Sequence, residues 1–213
     1  MFRSDRLRLL GLLTALLDAT SAVAGQDGLR VYGTTAFYAV WEDACRHYFR
    51  SPDAEPLDGF AQPEWHLYRD GQRFGDVAAG EQRPDIAISV PGHRLILDAK
   101  HYYPFPTSRP GWPDIVKQYY YIESLPQFDG ATVNAFLMPG RAGVEFEFSG
   151  FVRTSAINVR EFPDIEVWLV DPFSVLSFYT LSGAPASAAL HRYLDVRAVM
   201  GEMIGEAETL VGV

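Results

Sequence analysis

Two short strings, Arg83-Pro84-Asp85-Ile86 and Ile96-Leu97-Asp98-Ala99-Lys100, lie on either side of Pro91-Gly92. A turn centred on that pair sets Val90 opposite His93, Ile88 opposite Leu95, Ile86 opposite Leu97 and Asp85 opposite Asp98. The two aspartate Cβ atoms then stand roughly 4.5–5.5 Å apart, near enough for both carboxylates to hold one divalent cation. Lys100 follows Asp98 by two residues and so points to the same face. Two carboxylates, a cation with open positions and a positioned lysine are the parts needed to hydrolyse a phosphodiester.

Like charges directly opposite each other on a sheet are destabilising, and a cation with Lys100 beside it removes that problem. Hard oxygen ligands suit Mg2+, with Mn2+ as a second choice. The plainer reading is an ordinary hairpin with a partly solvated Asp–Lys pair. Pro-Asp and Asp-x-Lys are each common, but their joint placement on one face across one turn favours the metal site. Two-residue hairpins prefer primed turns, whereas Pro-Gly suits a type II turn. A bulge in the turn would shift the register.

Those strings need elements to position them. Residues 83–90 and 93–101 read as the hairpin strands, with Ile86, Ile88, Val90, Leu95, Leu97 and Ala99 on the buried face. A helix starting near Gly33-Thr34-Thr35, capped by a threonine, runs through Phe37, Val40, Trp41, Ala44, Tyr48 and Phe49 with one apolar face. After a loop over 51–63 comes a short strand near Glu64–Tyr68, then a second loop through Gly80. Residues 102–111 form a Pro-rich loop. A helix from about Pro113 to Leu125 has proline in its first turn and Asp114 favouring the helix dipole. Strands are expected near 131–138, 144–154 and 165–179, and a closing helix over 186–205. The order indicates an α/β domain with a mixed central sheet flanked by helices.

The arrangement resembles the PD-(D/E)xK nuclease superfamily and, within it, LlaJI-type restriction endonucleases. The resemblance rests on Tyr32-Gly33-Thr34-Thr35-Ala36-Phe37-Tyr38-Ala39-Val40-Trp41-Glu42, Arg83-Pro84-Asp85-Ile86, Leu97-Asp98-Ala99-Lys100-His101-Tyr102-Tyr103 and Asp114-Ile115-Val116-Lys117-Gln118. It covers roughly residues 31–125. It implies a restriction-endonuclease-like core, with Asp85, Asp98 and the Ala99 carbonyl as metal ligands and Lys100 as the residue that orients the attacking water. It implies that Glu42, rather than Asp43, is the acidic residue contributed by the preceding helix, at the metal or its waters. Gln118 would contact the site or the substrate. A Gln-x-x-x-Tyr pattern would need tyrosine at 122, where this chain has Ile122. The superfamily core would occupy about 31–140 of a single domain spanning 1–213, with a helix over 5–23 and the segments 144–205 as extensions.

Other features are weaker. Pro113-Asp114-Ile115 reads as a helix start. Pro163-Asp164-Ile165 leads to Asp171, but Phe173 stands where a lysine would be needed. His101, by alternation, packs on the face opposite Lys100. Cys45 alone excludes an internal disulfide and a cysteine-rich zinc site, which fits a cytoplasmic location. The Arg- and Leu-rich stretch before Ala22-Val23-Ala24 reads either as a core helix or as a secretory signal, and is too short to cross a membrane.

The formal net charge of −9 over 213 residues counts against a free-standing high-affinity DNA binder. A local strip of Arg83, Arg94, Lys100, His101, Arg109 and Lys117 could still favour phosphate at the cleft. The expectation is a metal-dependent DNA endonuclease of a restriction or defence system. A homodimer, or a separate specificity or motor subunit, would act with it on DNA, and no membrane is involved. A non-catalytic nucleic-acid-binding or assembly module, or a structure-specific repair or RNA nuclease, is the alternative.

Overall fold

The computed structural model describes residues 36–62, 64–70, 72–78, 83–102, 108–154, 162–180 and 188–211. Helix α1 (Phe37–Tyr48) is followed by β1 (Glu55–Pro56), β2 (Glu64–Arg69), β3 (Gln72–Ala78), β4 (Ile86–Val90) and β5 (His93–Ala99). Then come α2 (Trp112–Ser124), β6 (Ala131–Pro139), β7 (Phe146–Val152), β8 (Ile165–Val170), α3 (Pro172–Thr180) and α4 (Ala189–Val211). The expected helix over 5–23, and the threonines proposed to cap α1, lie outside the described residues. The residue preceding α1 is Ala36, which makes no side-chain capping bond.

Six strands form one mixed sheet in the order β1-β4-β5-β6-β8-β7. β4 and β5 are antiparallel, β5–β6 and β6–β8 are parallel, and β7 runs antiparallel to β8. The segments expected as extensions therefore complete the central sheet. Alternation along the strands gives the sheet two packed faces. On one face Ile86, Val90, Leu95, Leu97, Ala99, Val133 and Leu137 meet Trp41, Ala44 and Tyr48 of α1, Val175 of α3 and Leu190 and Tyr193 of α4. On the other, Ile96 and Phe136 meet Tyr121 and Tyr119 of α2. β5 is buried on both sides, as a central strand with helices on both faces should be.

The β4–β5 register matches the expected one pair by pair, from Val90 opposite His93 to Ile86 opposite Leu97. Gly92 has φ +79°, the conformation a type II turn requires at its second central position. Within the second loop expected through Gly80, Gln72–Ala78 instead form β3, which pairs with β2 in a separate hairpin; Gly80 lies outside the described residues. Asp70, at φ +52°, follows the last residue of β2.

The strand expected over 165–179 divides at Asp171. β8 ends at Val170, and Asp171 caps α3: its Oδ1 accepts from Phe173 N at 3.0 Å and its Oδ2 from Ser174 Oγ at 2.8 Å. Pro172 occupies the first turn, where its missing N–H costs nothing. Asp171→Ala is expected to lower stability by about 1–2 kcal/mol, seen as a lower urea midpoint with an unchanged slope. An unchanged midpoint would show that this cap contributes nothing.

Arg94 is buried rather than part of a surface basic strip. Its Nε donates to Thr132 Oγ1 at 3.1 Å and its Nη1 to Pro126 O at 2.7 Å, so it pins the chain between α2 and β6.

Candidate active site

The site forms where β4 and β5 run out. Along the hydrogen-bonded pairs of the hairpin, Ala99 comes opposite Pro84, which has no N–H to donate. Asp85 takes over: its Oδ2 accepts from Ala99 N at 2.8 Å. Pro84 thus ends the ladder, and the Ala99 carbonyl receives no ladder bond from it. One step beyond the Ile86–Leu97 pair, Asp85 and Asp98 fall on the same face. Arg46 of α1 fixes the Asp85 backbone, its Nε donating to Asp85 O at 2.9 Å.

Lys100 Nζ stands 2.7 Å from Asp98 Oδ2 and 2.9 Å from Asp114 Oδ1. Asp114 does two jobs, because its Oδ2 also accepts from Gly111 N at 3.1 Å at the start of α2. The helix-start reading of Asp114 holds, and the residue adds an anchor for the lysine. That anchor could be suspected from sequence only by knowing that α2 crosses over β5.

Burial, and then the neighbouring Asp98 charge, push the Asp85 carboxyl up to about 7 against the pull of the Ala99 N–H. Burial also raises Asp98, although Lys100 opposes it. Burial alone would lower the Lys100 pKa, but Asp98 and Asp114 outweigh it and hold the amine protonated. Asp114 is held below its usual range by its bond to Lys100, against its own burial.

Glu42 is raised by burial and by the Asp98 charge, and it also feels Lys100. It therefore stands within electrostatic reach of the pair. Asp43 turns away, accepting from Tyr179 Oη at 2.7 Å and Arg46 Nη1 at 3.2 Å. Among the described residues, no three His, Cys, Asp or Glu side chains form a ready cage for a metal ion. The structure thus brings Asp85, Asp98 and Lys100 together, with Glu42 outside such a cage.

Gln118 lies on the sheet-facing side of α2, fully buried, and neither end of its amide has a hydrogen-bond partner among the described residues. Asn134, opposite Ile96 on the same sheet face, is likewise buried, and its amide has no partner among the described residues. Lys117 is exposed, and its charge reaches Asp98 and Asp114. His101 is exposed instead of packed, because β5 ends at Ala99 and strand alternation stops there. Its ring lies 6.2 Å from Tyr38 and 5.7 Å from Tyr102. Cys45 is a buried core thiol. No helix among the described residues is long and apolar enough to cross a membrane.

A family model described as LlaJI restriction endonuclease matches residues 1–169, which include every element of this site. The chain belongs to the LlaJI restriction endonuclease family. It is also similar to the Type II restriction enzyme BsuMI component YdjA of Bacillus subtilis (strain 168), with 32% identity over 144 residues. That match covers 60% of this chain and 29% of the relative, so the chain spans under a third of the relative's length. In this LlaJI family member the six-stranded mixed sheet has the α/β character of a restriction-endonuclease-like core.

Proposed function

We propose that this chain is a metal-dependent DNA endonuclease of the PD-(D/E)xK type that acts within a restriction system against foreign DNA. The observation that carries the reading is the placement of Asp85 and Asp98 on one face at the end of the hairpin, with Lys100 Nζ 2.7 Å from Asp98. The donor set fits a hard divalent cation. It offers two carboxylates that repel each other and a backbone carbonyl that the hairpin does not use. Asp85, Asp98 and the Ala99 carbonyl would hold Mg2+ or Mn2+. When bound, that ion contributes Lewis acidity toward the phosphate and eases loss of a proton from water.

The remaining roles belong to side chains. Lys100, kept cationic by two carboxylates, faces the negative charge that develops on the phosphate and orients the attacking water. Asp114 fixes where that ammonium sits. Glu42, with its raised pKa, is suited to hold a proton on water at the edge of the site. Gln118, whose amide has no partner among the described residues, is available to the metal's water shell or to the substrate strand.

An acidic chain with one such site cuts one strand at a time. Double-strand cleavage then calls for a homodimer or repeated action, and target choice calls for a separate specificity or motor subunit. The relative's description as a component agrees with such a division. The test incubates the chain with methylated and unmethylated plasmid and Mg2+, and maps the product ends. Nicks or breaks that require Mg2+ and carry 5′-phosphate and 3′-hydroxyl ends are expected. Mg2+-independent products, or none with either DNA and with added partner subunits, would overturn the reading.

A further inference from the structure

Two members of the basic strip expected around the site, Arg94 and Lys100, are committed elsewhere, as is Arg46 of α1. Arg94 is buried on Thr132 and Pro126, Lys100 is shared by two aspartates, and Arg46 is occupied by Asp85 and Asp43. The net charge of −9 adds no general attraction for phosphate. Phosphate neutralisation, the usual source of nucleic-acid affinity, then falls to the exposed Arg109 and Lys117 among the strip residues.

The mouth is also aromatic. Tyr38 sits one helical turn before Glu42 on α1 and is 49% exposed. Its ring lies 6.2 Å from His101, the residue after Lys100, and His101 lies 5.7 Å from Tyr102. The Tyr102 hydroxyl is raised by burial and then by the Asp114 charge, which places it beside the same acidic cluster. Trp112 opens α2 two residues before Asp114 and is 65% exposed. Core packing accounts for Trp41, Tyr119 and Tyr121, which are buried. It does not account for Tyr38 or Trp112.

The geometry points to a stacking platform, built from Tyr38, His101 and Trp112, for unpaired nucleobases next to the phosphate at Asp85 and Asp98. The strand being cut is engaged in single-stranded form. This inference rests on the nuclease reading for the phosphate's position, but its binding term is independent of catalysis. Every base has a π-face on which an aromatic ring can stack, so such a platform tolerates any sequence. In a duplex those faces are covered by neighbouring bases. Affinity won by stacking, with few phosphates neutralised, also falls only gently with salt.

The test uses the full chain in EDTA, so that cutting cannot interfere, and a fluorescein-labelled oligo-dT alongside a duplex of equal length. Anisotropy is read at low and at raised salt. The single strand is expected to bind more tightly than the duplex. The Tyr38→Ala/Trp112→Ala double variant should lose about tenfold or more of single-strand affinity, and Tyr38→Phe should keep it. Unchanged single-strand affinity in the double variant, a preference for duplex, or no binding of either probe would overturn the platform. A parallel Mg2+ cleavage assay separates the two readings. Retained Tyr38-dependent binding in a wild-type chain that cuts nothing would leave the platform standing while the nuclease reading falls.

Discussion

Lys100→Ala is expected to slow Mg2+-dependent DNA cleavage by at least about 10²–10³-fold, the cost of removing one preorganised donor aimed at developing charge. The size follows from position. Lys100 Nζ is in contact with Asp98 and Asp114 together, so its ammonium is fixed before substrate arrives and has nothing to reorganise during the reaction. The same substitution leaves a buried Asp98 without its cation, so stability should fall as well. Cleavage should therefore be compared at a temperature where circular dichroism shows the variant fully folded. Lys100→Arg separates the two effects. The guanidinium retains the charge and restores much of the stability, but its fork places donors differently from an ammonium, and cleavage should stay low. Near-wild-type cutting by Lys100→Ala would remove Lys100 from the site.

The second large effect concerns stability, and its sign is unusual for an aspartate. The Asp85 carboxyl titrates near 7 in the folded chain, because of burial and then the Asp98 charge, against 3.8 ordinarily. Between those values the unfolded chain has lost this proton while the folded chain keeps it. Stability therefore declines as pH rises from about 4 to 7, and levels off above. Asp85→Asn avoids that loss. It should match the wild type near pH 4 and exceed it at pH 8 by about 2–4 kcal/mol, taking roughly 1.4 kcal/mol per pKa unit as the guide. Saturating Mg2+ should recover a similar amount in the wild type, about 2.7 kcal/mol at one hundred times its dissociation constant. It should do little for Asp85→Asn. Thermal melts at both pH values, with and without Mg2+, decide it. Equal Mg2+ shifts in both proteins would mean that Asp85 holds no metal.

Much of this was legible from residue order alone. The hairpin register needed only Pro91-Gly92 and the alternation of Ile86, Ile88 and Val90 against Leu95, Leu97 and Ala99. Strand β3 was harder because Gly75 interrupts its apolar pattern, although Asp70-Gly71 is a strong hairpin signal. Helix α3 resembles a strand through its run of Val175, Leu176, Phe178 and Tyr179. Asp171-Pro172 is the local sign that a helix begins there. The partners of Lys100 and Asp85 divide in the same way. Asp98 is two residues from Lys100 and predictable from strand geometry. Asp114 and Arg46 reach the site through helix packing, which spacing does not encode. Arg94 departs from the expected strip because an arginine's charge suggests the surface, whereas the chain buries it against Thr132 and Pro126.

The contact between Lys100 and Asp114 also bears on when the site becomes competent during synthesis. Once residue 100 has been made, both aspartates and the lysine are present in the chain. The carboxylate that holds the ammonium in place belongs to α2, which packs on β6, still further along the chain, as well as on β5. A half-made or locally opened chain carries the reactive residues without the clamp that aligns them. In the proposed nuclease, the bond that docks the helix thus ties cutting power to completed folding, which suits an activity that would be hazardous in an unfinished molecule.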